Sequence, residues 1–157
     1  MNMDKKDFMS RAIRLSEESV SNGGGPFGAV IVKDGEIVAE GANHVTQAND
    51  PTAHAEVTAI REACRKLHTF DLSGCDIYTS CEPCPMCLGA IYWARLSKIY
   101  FANNRDDAAR IGFDDELIYR ELPLSPEKRS IPSVVLMRDE ASKAFAMWSA
   151  KTDKTAY

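Results

Sequence analysis

Ala29-Val30-Ile31-Val32-Lys33-Asp34-Gly35-Glu36-Ile37-Val38-Ala39 sets the architecture of this chain. Two apolar, β-branched runs flank Asp34-Gly35, a dipeptide suited to the tight primed turns in which φ is positive, so the stretch predicts an antiparallel hairpin. On its N-terminal side Phe8, Ala12, Leu15 and Val20 recur at helical intervals with charges between them, which predicts an amphipathic helix over about 4–21. Asn22-Gly23-Gly24-Gly25-Pro26 breaks that helix. On the other side the pattern alternates. A helix is expected from Ala53 to Leu67, a strand from Asp76 to Thr79, a helix from Met86 to Arg95 and a strand from Lys98 to Ala102. A partly helical 106–121, a strand from Ser133 to Met137 and a closing helix from Lys143 to Lys151 complete the reading. A hairpin followed by alternating helices and strands predicts an α/β sandwich on a mixed sheet of about five strands.

The 157 residues suit one domain, and 45% hydrophobic with 27% charged content supports a core and excludes global disorder. Nineteen Lys and Arg against 23 Asp and Glu leave a net charge of −4, which argues against gripping nucleic acid or an anionic membrane. No apolar run reaches the roughly 18 residues of a membrane span. Met1 to Phe8, with Asp4, Lys5, Lys6 and Asp7, lacks the apolar centre of a signal peptide. Five cysteines, an odd number, fit a reducing compartment, so a cytoplasmic location is expected.

Two short motifs carry chemistry. His54-Ala55-Glu56 opens one expected helix and Pro83-Cys84-Pro85-Met86-Cys87 opens the next. Cysteines three apart at a helix start share a face, and Pro85 suits a first turn, where its missing N–H costs nothing. The helix N-terminus favours thiolates, the form zinc requires. His54, Cys84 and Cys87 thus predict a zinc site with its fourth tetrahedral position left for water, and Glu56 is the natural proton carrier. On a regular helix residues two apart diverge by about 200°, so His54 and Glu56 can share a cavity only if the metal lies off the helix end. The alternative is a closed structural site in which Cys81 supplies a third sulfur.

Other features read as structural. Gly23-Gly24-Gly25-Pro26-Phe27-Gly28 matches a dinucleotide-binding glycine pattern, but it follows a helix and precedes a strand, the reverse of that context. His44 and His68 have no partner at metal spacing. Asp114-Asp115 reads first as the start of a helical turn, with a carboxylate awaiting a hydrogen-bond donor as the other reading. Thr152 to Tyr157 reads as a frayed tail.

The pairing of H-x-E with P-C-x-x-C is that of the zinc nucleobase deaminases. Through it the chain resembles the cytidine-deaminase-like superfamily. More narrowly it resembles the small bacterial guanine deaminases, on Gly25 to Val30, Asn49 to Val57, Thr79 to Cys84, Gly112-Phe113-Asp114-Asp115 and a terminal Tyr157. That resemblance implies a three-layer α/β/α sandwich with zinc on His54, Cys84 and Cys87 and Glu56 as proton shuttle. It implies base contacts from Phe27, Asn43, Asp115 and Tyr157, and hydrolysis of guanine to xanthine and ammonia. It also implies a homodimer in which residues 139–157 are exchanged between subunits. Guanine N–H groups would find an acceptor in Asp115, which cytosine N3 would not need. Guanosine or another aminated heterocycle is the alternative substrate. A tRNA adenosine deaminase shares the motifs but calls for a basic surface.

Overall fold

The hairpin forms as its sequence predicts. In the computed structural model, which describes residues 2–157, β1 (Gly28–Lys33) pairs antiparallel with β2 (Glu36–Ala42), and Asp34 and Gly35 between them take φ of 50° and 78°. On its other edge β1 pairs antiparallel with β3 (Cys75–Cys81), which pairs parallel with β4 (Lys98–Asn103). The sheet order is β2-β1-β3-β4.

Every residue of β1 as far as Val32 is buried, because both faces of this central strand are covered. Side chains alternate across it. Val30 and Val32, with Tyr78 of β3, meet Phe8 and Leu15 of α1 (Lys5–Ser21). Ala29 and Ile31, with Ile77, turn to the opposite face. There they meet Ala55, Ala59 and Ala63 of α3 (Ala55–Leu67) and Ile91 and Ala94 of α4 (Pro85–Ala94). The result is the three-layer α/β/α sandwich. A short helix that the sequence reading did not anticipate, α2 (Val45–Ala48), lies between β2 and α3.

Helix α1 begins at Asp4 with a capping box: Asp7 N–H donates to the Asp4 carboxylate at 3.0 Å and Asp4 N–H to the Asp7 carboxylate at 2.8 Å. Two glycines bring helices onto the sheet. A Cβ at Gly28 would stand 2.3 Å from the Ala12 carbonyl of α1, and one at Gly41 would stand 2.3 Å from the Ala55 carbonyl and 2.6 Å from the Ala59 nitrogen of α3. The glycine run read against nucleotide binding therefore ends in a helix-packing residue.

The chain divides into two compact units, the first ending at Asp115 and the second spanning Glu116–Tyr157. The first unit closes with β4 and α5 (Arg105–Arg110). The second holds α6 (Glu116–Glu121), a short 3-10 turn at Pro126–Lys128 and α7 (Arg138–Ala150). Within it, the Arg129 guanidinium donates to the carbonyls of Glu121 and Leu122, each at 3.2 Å. Lys154 turns its ammonium back onto the carbonyls of Trp148 and Ser149, at 3.3 and 3.1 Å, so the tail is tied to the end of α7 rather than simply frayed.

One expectation fails. Ser133 to Met137 is not a strand, and the sheet has four strands among the described residues rather than about five. Val134, Val135 and Leu136 have strand propensity, but a strand persists only where its N–H and C=O groups enter a ladder, and this run has none.

Gly41→Ala should lower stability by about 1–3 kcal/mol, because its methyl group drives into the α3 backbone. Urea unfolding monitored by circular dichroism checks this, and an unchanged midpoint would show that α3 can move away freely.

Candidate metal centre and active site

His54 and Cys84 occupy equivalent positions, each the N-cap of its helix. Both have extended backbone (φ −71°, ψ 158° and φ −67°, ψ 170°), and both carbonyls start a helix, accepting from Thr58 N–H at 2.9 Å and Leu88 N–H at 2.8 Å. Their side chains therefore project off the helix ends, which answers the angular constraint between His54 and Glu56. Cys87, fully buried in the first turn of α4, completes the group.

The donor atoms converge. His54 Nδ1 lies 3.6 Å from Cys84 Sγ and 3.5 Å from Cys87 Sγ, and all three lie within 4.8 Å of one another. A tetrahedral zinc, with sulfur at about 2.3 Å and nitrogen at about 2.0–2.1 Å, separates a sulfur from a nitrogen by about 3.6 Å. The three residues fit that ion as they stand.

Their protonation shows how strongly they interact. The Cys84 thiol is pulled down to about 4 by a hydrogen bond from Cys87, with a second from His54. Cys87 is pushed up by that same bond and by burial, and His54 is raised by its bond to Cys84. One proton held between two sulfurs is what a divalent cation would displace, since it supplies the charge both thiolates need.

Glu56 follows His54 by two residues and is 5% exposed. Burial pushes its carboxyl up, opposed by its own backbone N–H and by a hydrogen bond with Cys87. A carboxyl so placed, beside a ligand yet outside the ligand set, is suited to moving protons. Cys81 plays a different part. Its Sγ reaches the Asn104 carbonyl at 3.8 Å, burial raises its thiol to about 11, and it stands outside the converging group. It is a protonated thiol, and the closed three-sulfur site is not formed. His44 and His68 cap α2 and α3 and also lie outside the group.

The remaining predicted residues fall in two places. Asn43, 6% exposed at the end of the hairpin, accepts a hydrogen bond from Val45 N–H at 3.2 Å through Oδ1, which leaves its amide group as the donor. Its backbone N–H donates to the Phe27 carbonyl at 3.2 Å, joining these two positions. Burial raises the Asp115 carboxyl, and the negative charge of Cys84 adds to this, so Asp115 stands within electrostatic reach of the ligand set. Tyr157 belongs to the second unit. Sequence reasoning missed Phe113, whose ring meets Phe27 edge to face with centroids 5.0 Å apart. Its only signal was its place in the Gly-Phe-Asp-Asp run.

Residues 2–103 match the cytidine and deoxycytidylate deaminase zinc-binding region, so the chain belongs to that family and its metal is zinc. Within the family, guanine deaminase of Bacillus subtilis (strain 168) is 53% identical over 156 residues, 99% of this chain and 100% of that protein. The X-ray structure of guanine deaminase from Bacillus subtilis overlays with a TM-score of 0.95, covering 99% of both chains at 53% identity. The tRNA-specific adenosine deaminase of Aquifex aeolicus is 45% identical, but over 64% of this chain and 66% of its own length. No described helix is long and apolar enough to cross a membrane.

Cys81→Ser should keep about one zinc per chain, while Cys84→Ser or Cys87→Ser should lose it. Metal analysis of the purified variants checks this, and zinc loss with Cys81→Ser would restore the closed site.

Proposed function

We propose that this chain hydrolyses guanine to xanthine and ammonia. The observation that carries the reading is a buried glutamate set beside three zinc-fitting donors while the neighbouring Cys81 stays out of the set. Likeness to a guanine deaminase over 99% of the chain, both units included, supports the substrate, whereas the adenosine deaminase likeness covers 64%. The net charge of −4 adds to the preference for a free base over tRNA.

His54, Cys84 and Cys87 would hold the zinc. When bound, it supplies a Lewis acid that acidifies water near neutral pH. Glu56 takes a proton from the attacking water, whose oxygen bonds to the carbon bearing the exocyclic amine. Glu56 passes that proton to the ring nitrogen, then takes the second proton from the hydroxyl now on the carbon and delivers it to the departing nitrogen, so that the carbonyl forms as the carbon–nitrogen bond breaks and ammonia leaves. Phe27 offers a ring face for the flat purine. Asn43 donates from its free amide, and Asp115 accepts from guanine N–H groups, which a partner-free site would leave unpaired at a cost of about 1–3 kcal/mol.

The full 157 residues act as one deaminase domain, and the protein works as a homodimer with residues 139–157 exchanged so that Tyr157 closes the partner's base site. Support comes from the apolar surface of the second unit, where Val134 is 87% exposed and Phe145 80%. Such a surface is expected to be covered by another chain. A cytoplasmic location is supported by five free cysteines, two of them metal-fitting thiols that oxidation would disable.

Glu56→Gln should abolish ammonia release from guanine while zinc stays bound, and Asp115→Asn should lower kcat/KM for guanine about tenfold or more. Side-by-side assays on guanine and guanosine check both; full activity in Glu56→Gln contradicts the mechanism, and a preference for guanosine reassigns the substrate. Mixing inactive Glu56→Gln with inactive Tyr157→Ala subunits should recover about a quarter of wild-type activity by statistical pairing. No recovery on mixing contradicts the exchange.

A further inference from the structure

We infer that Phe113 is a positioning residue for base binding: its ring, set edge to face on Phe27, fixes the stacking wall and the Asp115 loop as one unit. The inference rests on the guanine deaminase reading above, in which Phe27 and Asp115 meet the base.

Phe27 sits in the loop between α1 and β1 with a well-held backbone. Its N–H donates to the Gly25 carbonyl at 2.9 Å, and its own carbonyl accepts from Asn43 N–H at 3.2 Å. Its side chain is only partly buried, so packing with the core does not define the ring on every side. Phe113 supplies the missing contact. The two rings stand 5.0 Å apart at an interplanar angle of 89°, the arrangement in which the positive edge of one ring meets the negative face of the other.

The chain delivers Phe113 there by a defined route. Helix α5 ends at Arg110, Gly112 reverses the backbone at φ 100°, and Phe113 N–H returns to the Ala108 carbonyl at 3.0 Å. Asp115 follows two residues later, within electrostatic reach of Cys84. Phe113 itself remains 46% exposed. A large apolar ring half in water adds little to core stability, so its aromatic contact is the property that distinguishes it from other apolar residues at that position. A phenylalanine has two side-chain torsions to fix, and a ring already held perpendicular to a neighbour has less freedom to lose when a purine stacks on it.

The test is a double-mutant cycle on the zinc-loaded full chain with guanine as substrate. Phe113→Ala should raise KM about three- to tenfold with a smaller change in kcat, matching the strength of an aromatic pair, and Phe113→Tyr, which keeps the ring, should restore KM. If Phe113 acts through Phe27, the Phe27→Ala, Phe113→Ala double variant should be little worse than Phe27→Ala alone. Zinc content in each variant reports whether the fold and metal site survive. A wild-type KM in Phe113→Ala, failure of Phe113→Tyr to restore KM, or additive effects of the two substitutions overturn the inference while leaving the function intact. A wild-type protein that releases no ammonia from guanine overturns the proposed function and this inference together.

Discussion

The approach of one imidazole nitrogen to two sulfurs, at 3.5 and 3.6 Å, is the constraint on which the rest depends. It requires the starts of two helices, far apart in sequence, to meet at a point off both their ends. The sheet arranges this. β2 presents Gly41 so that α3 can settle against the strand, carrying His54 at its cap. β3 ends at Cys81, and the short turn through Pro83 places Cys84 at the cap of α4. The hairpin that decides the fold is therefore also what positions the imidazole, because β1 aligns β2 with β3 on its two edges.

The electrostatics of the pocket are mutually dependent. Three groups that each prefer a different proton count share one small volume, and burial disfavours a charge on Glu56. A divalent cation reconciles them by supplying positive charge that both sulfurs and the carboxyl can use. Cys81 shows by contrast what selects a ligand here. It is buried and close in sequence, but its sulfur is committed to the Asn104 carbonyl and its proton is firmly held. Direction of the side chain, set by the extended end of β3, matters more than spacing along the chain.

Much of this was legible in the sequence, for identifiable reasons. The hairpin, the amphipathic α1 and the two motifs are local signals: turn residues, apolar intervals and caps within a few positions. The helix at Ala55 begins two residues later than its pattern suggested because His54 caps rather than joins it. What was not legible depends on distant partners. Ser133 to Met137 has the composition of a strand but no ladder to enter, a fact no local window contains. The Phe27–Phe113 contact joins residues 86 positions apart and leaves no periodic trace. α2 is a single turn of four residues, shorter than the span over which helical periodicity can declare itself.

The metal is expected to take two sulfurs and one ring nitrogen from this chain and to leave its last position to solvent. X-ray absorption at the zinc edge of the loaded protein tests it most directly. Two sulfur scatterers at about 2.3 Å, with nitrogen or oxygen neighbours at about 2.0–2.1 Å completing the shell, are expected. A shell with three sulfurs would contradict it.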